Sequence, residues 1–198
     1  MIKKALIALS LCLGIQTASA AMPPFNQKFE NNGKPIAEKP IVARDFIEFR
    51  TTRGFVKDGF FDMNGQPMSL EQFKGKLVLV DVWGTWSETC LRNVPTMLEL
   101  QKRYNKPGSK IQVISIALDR KAKRVTKFLK KHNAEALVTW HDPDKILATH
   151  LPVDVTPTMF VLDGKGHLVG FLRGYVEWFD PAVGPYFEKL AEKYADRN

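Results

Sequence analysis

Four stretches of the chain are apolar for long enough to cross a buried sheet. They are Leu77 to Val82, Ile111 to Ala117, Thr158 to Leu162, and His167 to Leu172. The first is nearly all apolar, as expected of a strand covered on both faces. Between them the period lengthens to that of a helix. Cys90, Val94, Met97, Leu98 and Tyr104 fall on one face of a helix that starts near Ser87 and ends in Asn105-Lys106-Pro107-Gly108. Pro95 lies inside it and should kink it. Ala122, Val125, Phe128 and Leu129 mark a second amphipathic helix. Val183, Phe187, Leu190, Ala191 and Tyr194 mark a last one, whose start Pro185 blurs.

Shorter signals fill the gaps. Ala43 to Phe49 reads as a first strand. Phe60-Phe61 and Gln66-Pro67-Met68 flank Asn64-Gly65, a strong hairpin turn. Ala136 to Trp140 reads as a short strand. Asp142-Pro143 reads as a cap with a first-turn proline, opening a short helix through Leu147. Asp163 to Gly166 joins the last two long strands as a hairpin. Strand, helix, strand order implies a parallel pair, and the closing hairpin adds antiparallel strands. The expected class is α/β: three layers, a mixed central sheet flanked by helices, and an N-terminal hairpin extension. There is no internal repeat.

Before residue 44 the pattern is different. Lys3 and Lys4, an apolar core from Ala5 to Ile15, and Ala18-Ser19-Ala20 form the outline of a secretory signal. Its core is too short for a membrane span. Cleavage near Ala20/Ala21 would make the mature protein periplasmic or secreted. Residues 21–43 then form an arm punctuated by Pro23-Pro24, Asn31-Asn32-Gly33, Pro35 and Pro40, with no period, and are expected to be flexible. Residues 44–198 form the folded domain. Loss of Lys3 and Lys4 lowers the formal charge from +8 to +6. That is a basic surface, not a case for nucleic acid. Its densest part is the second helix, where Arg120, Lys121, Lys123, Arg124, Lys127, Lys130 and Lys131 make a solvated face; an acidic partner or an anionic membrane surface is the minority reading.

Of the two cysteines, Cys12 leaves with the signal and Cys90 stays. A single thiol in an exported protein is either buried and inert or a reactive group. It ends the stretch Trp83-Gly84-Thr85-Trp86-Ser87-Glu88-Thr89-Cys90. Ser87 is a good helix cap there, and Glu88 suits the positive end of the helix dipole.

Taken with Asn64-Gly65, Ser69-Leu70, Phe73 to Lys76, Pro95, Asp142-Pro143-Asp144, Thr156-Pro157-Thr158 and Leu162-Asp163, this stretch resembles the thioredoxin fold. It resembles most closely the exported thioredoxin-like proteins of the TlpA/ResA type, over roughly residues 45 to 195. Enzymes of that family carry W-C-x-x-C, with an exposed first cysteine that attacks a disulfide and a second that resolves it. Here Ser87 replaces the first. A hydroxyl cannot exchange a disulfide, so ordinary dithiol turnover is not expected of the chain alone. The resemblance implies that Cys90 matches the resolving cysteine, that Asp81 is a candidate general base for it, and that Thr156-Pro157 matches a cis-proline loop that pairs with an extended substrate. Trp83 and Trp86 would flank this site, with Trp86, Thr156 and Pro157 as the substrate-binding face.

Two functions follow from those residues. One is a peptide- or protein-binding, or redox-regulatory, module without dithiol chemistry. The other is a monothiol enzyme using Cys90, peroxiredoxin-like or dependent on an external thiol. Peroxiredoxins, which share the fold, use S-x-x-C or T-x-x-C, but also a proline where this chain has Trp83 and an activating arginine; Arg92 and Arg173 are the available ones. No cofactor is implied. His132, His141, His150 and His167 have no spacing that gathers them with Cys90 into a metal site. Copper binding of the kind seen in related exported proteins would want two thiols and a histidine.

Overall fold

A computed structural model of the chain describes residues 24–30, 35–36, 38–151 and 153–196. The signal-like residues 1–20 lie outside them. Strands β1 (Lys28–Phe29), β2 (Ile47–Arg53), β3 (Phe60–Phe61), β4 (Pro67–Met68), β5 (Leu77–Trp83), β6 (Ile111–Ala117), β7 (Thr139–His141), β8 (Thr158–Leu162) and β9 (Leu168–Arg173) alternate with helices α1 (Glu88–Tyr104), α2 (Ala122–Lys131), α3 (Ile146–His150) and α4 (Val183–Tyr194).

Among the described residues these strands form one sheet in the order β1-β2-β9-β8-β5-β6-β7-β3-β4. The β5, β6 and β7 strands run parallel. The remaining pairs are antiparallel, β8 against both β5 and β9 included. The sheet is therefore mixed, as the order of elements requires. Every residue of β5 is buried, and its side chains alternate between two cores. Leu77, Leu79 and Trp83 join the cluster under α1, α2 and α4, while Val78, Val80 and Val82 join the one under α3 and the β3–β4 hairpin. This is the period-2 alternation of a strand with both faces covered. It puts Asp81 on the same face as Leu79, toward α1.

The differences from the sequence reading are local. Ile41–Ala43 is a single 3-10 turn, and the strand expected at Ala43–Phe49 starts at Ile47 and runs to Arg53. The strand expected at Ala136–Trp140 is confined to Thr139–His141. The short helix begins at Ile146, not at Pro143. Asp142 still caps it, accepting from the Ile146 and Leu147 N–H groups at 2.8 and 2.9 Å, across a left-handed Lys145. The proline-rich arm is tied down where it is described. Lys28–Phe29 pairs with β2, the Phe29 ring stacks on His167 at 3.8 Å, and the Ile36 N–H donates to Glu48 at 2.8 Å. No helix among the described residues is long and apolar enough to cross a membrane.

Candidate functional site

At its C-terminal end β5 delivers the motif loop to the N-terminus of α1, and three groups of contacts hold the loop in place. Trp83 is buried as packing, its indole N–H donating to Thr139 at 3.1 Å. The Thr85 N–H and hydroxyl donate to the buried Asp119 carboxylate at 3.0 and 2.6 Å, and Arg124 reaches both residues from α2. The Trp86 ring folds back over Gly84. A Cβ there would sit 2.4 Å from the ring, so the residue must be glycine for the indole to lie flat. Trp86 is nevertheless 50% exposed.

Ser87 is the helix cap, in extended conformation. Its Oγ accepts from the Cys90 N–H at 3.2 Å, satisfying one of the orphan donors of the first turn. The same hydroxyl donates to the Thr156 carbonyl at 3.2 Å. One serine thus joins the helix start to the opposing loop. The Thr156–Pro157 bond is cis, and the Pro157 carbonyl accepts from Gly174 N–H at 2.8 Å. Ser87, Cys90, Thr156 and Pro157 are therefore brought together.

Cys90 lies in the first turn of α1, as its third residue, and is 1% exposed. Burial pushes its thiol above the ordinary cysteine range, and the Asp81 charge adds to the rise. The Ser87 hydroxyl, the Gly84 backbone and the Thr156 side chain pull the other way without offsetting it. At neutral pH this sulfur is a protonated thiol, not the thiolate that attacks disulfides or peroxides.

Asp81 is wholly enclosed, and burial pushes its carboxyl up to about 7. Hydrogen bonds from Ser115 at 3.2 Å and Asn93 at 3.1 Å hold it and partly counter that rise. Neither partner was identified from the sequence, although both left a signal. Asn93 is a polar residue in the apolar stripe of α1. Asp81 and Ser115 are the polar interruptions at matching positions of two apolar runs, and the parallel register pairs them directly. The arginines available to a peroxidatic cysteine are engaged elsewhere. Arg92 lies over the Tyr175 ring at 5.8 Å, and Arg173 pairs with Asp154 at 2.9 Å. Among the described residues, no group of three or more His, Cys, Asp or Glu side chains could hold a metal ion.

Residues 75–168 match the family described as thioredoxin-like. The thiol-disulfide oxidoreductase ResA of Bacillus thuringiensis subsp. konkukian is 29% identical over 113 residues, which cover 57% of this chain. The match spans 64% of that relative's length. Among solved structures, a protein described as a thiol:disulfide interchange protein DsbE, from Chlorobium tepidum, superposes with a TM-score of 0.58 at 25% identity, over 68% of this chain and 93% of its own. The exposed lipoprotein thioredoxin of Streptococcus pneumoniae superposes at 0.57 with 22% identity, over 67% and 98%. The mixed sheet, the capped helix start and the cis-proline loop facing it make this chain a thioredoxin-fold protein, similar in sequence to thiol-disulfide oxidoreductases.

Proposed function

We propose that the chain is an exported thioredoxin-fold protein that works without dithiol exchange, holding an extended peptide or protein segment against the Trp86, Thr156 and Pro157 face. The observation that carries this reading is the pairing of a hydroxyl at 87 with a buried, protonated thiol at 90. The position that would attack a disulfide has no sulfur, and the remaining sulfur is enclosed. Exposed side chains beside the motif support the binding half of the reading. Trp86, Val155 and Tyr175 are large apolar side chains left in solvent. They converge on the motif: Val155 precedes Thr156, Tyr175 follows the Gly174 that bonds Pro157, and Arg92 of α1 reaches Tyr175. Exposed apolar groups gathered on one face are a mark of interaction sites. The alternative, a monothiol peroxidase or thiol-dependent reductase, would need Cys90 accessible and ionised, and its burial opposes both.

The resemblance to proteins that act outside the cytoplasm and the signal-like start support export. The test of binding is fluorescence anisotropy with labelled, carboxymethylated unfolded polypeptides. Wild type is expected to bind, and Trp86→Ala and Tyr175→Ala to bind at least several-fold more weakly, as expected when an aromatic anchor is truncated. Equal affinity in all three proteins, or none in any, would overturn the reading.

A further inference from the structure

Beside the motif lies an open groove of about 410 Å³ whose walls include Trp86, Asp119, Arg120, Lys121, Arg124 and Lys145. Four cations line it against one carboxylate. That carboxylate is already spent: Asp119 is buried, accepts two hydrogen bonds from Thr85 and pairs with Arg124 at 3.3 Å. Arg120, Lys121 and Lys145 are exposed and have no ion pair within 4.0 Å among the described residues. Lys145 sits over the Trp86 ring at 5.8 Å, so the aromatic wall and a cation form one surface. Beyond the groove the positive face continues along α2 through the exposed Lys123, Lys127, Lys130 and Lys131.

We infer that the partner is an acidic polypeptide segment, whose carboxylates occupy this groove while its adjoining extended stretch lies on the Trp86 and Pro157 face. The inference deepens the peptide-binding reading and rests on it. Trp86 belongs to both surfaces, so a chain leaving the cis-proline loop past Trp86 enters the groove directly. Carboxylates are opposite to it in charge and can accept from the guanidinium and ammonium groups of its walls. Like-charged segments would meet several cations held within a Debye length of one another and be rejected. The basic helix, which the fold alone leaves as a solvated face, then steers the acidic partner toward the site.

The experiment uses the mature protein and three fluorescent peptides with the same apolar anchors, one rich in Glu and Asp, one neutral and one rich in Lys. The acidic peptide is expected to bind tightest, with affinity that falls as salt rises. Arg120→Glu/Lys121→Glu/Lys145→Glu should weaken it by ~10-fold or more, given three charge reversals at exposed sites. A control of equal charge change, Lys102→Glu/Lys106→Glu/Lys110→Glu, lies at the other end of α1 and should leave it nearly unchanged. Circular dichroism melts of both variants establish that they are folded. If neutral and acidic peptides bind alike and the groove reversal changes neither, the acidic partner is refuted while peptide binding stands. If no peptide binds, both readings fail. If vesicles of anionic phospholipid bind in a groove-dependent way and the acidic peptide does not, the surface faces a membrane and the inference is overturned.

Discussion

Asp81 and Cys90 face each other across the β5–α1 junction, and both are pushed toward their neutral forms by enclosure. For Asp81 this has a consequence for stability. The unfolded carboxyl ionises at its ordinary value near 3.8, the folded one at about 7. Below the lower value both states hold the proton and burial of the neutral acid costs little. As pH rises between the two, the unfolded chain releases the proton and the folded chain keeps it, so stability falls; above about 7 the loss is complete. The total is on the order of a few kcal/mol. Asp81→Asn keeps partners for Asn93 and Ser115 without the charge. In urea titrations it is expected to match wild type near pH 4 and to be the more stable protein at pH 8. A variant that is less stable at pH 8 would show that the charge is compensated by groups beyond Asn93 and Ser115. Cys90 gives a second outcome at this scale. In the folded protein at neutral pH its alkylation should be slow, and in denaturant one thiol per mature chain should react at once. Rapid oxidation by peroxide at pH 7 would restore the monothiol enzyme.

Helix α1 depends on its first turn. Ser87 is a cap in its own right, so Ser87→Ala should lower stability by ~1 kcal/mol, measured by denaturant unfolding. It also removes the donor to the Thr156 carbonyl and loosens the helix start from the loop it faces. Elements with a strong period were legible in the sequence: β5, β6, β8, the closing hairpin and α1 appear where apolar spacing put them. Ser87 was legible as a cap because its chemistry is local. What escaped was set by distant partners. Asn93 and Ser115 become site residues only when the parallel register brings Ser115 beside Asp81 and packs α1 over it. Asp119 looks like an ordinary turn acid until Thr85, 34 residues earlier, donates to it. The start of α3 was misplaced because Asp142 caps from four residues upstream of Ile146, across a left-handed Lys145 that no pattern announces.

At the scale of the whole molecule, the fold encloses the Cys90 thiol and leaves Trp86, Val155 and Tyr175 in solvent. The N-terminal arm takes part in that architecture. A Cβ on Gly54 would come within 2.1 Å of the Pro24 carbonyl, so only glycine admits the docked arm. Gly54→Ala is expected to detach residues 24–29, speeding tryptic cleavage at Lys28 while the domain keeps its cooperative melt; unchanged cleavage would mean that the edge pairing is dispensable. Sequence reading identified the fold from the motif, yet it gave the arm no place, because its strand pairing and ring stacking are with residues more than twenty positions away, Arg53 and His167. The central claim is that this site has thioredoxin geometry and lacks dithiol chemistry because of one atom, the oxygen of Ser87. Its most direct test is the reduction of a model protein disulfide by wild type and by Ser87→Cys, with the redox state of the pair followed by mass spectrometry. Wild type should show no turnover. The variant, whose added thiol sits at a helix N-terminus three residues before Cys90, should form an 87–90 disulfide under mild oxidant and reduce the substrate. Turnover by wild type, or failure of the folded variant to form that disulfide, would contradict the account.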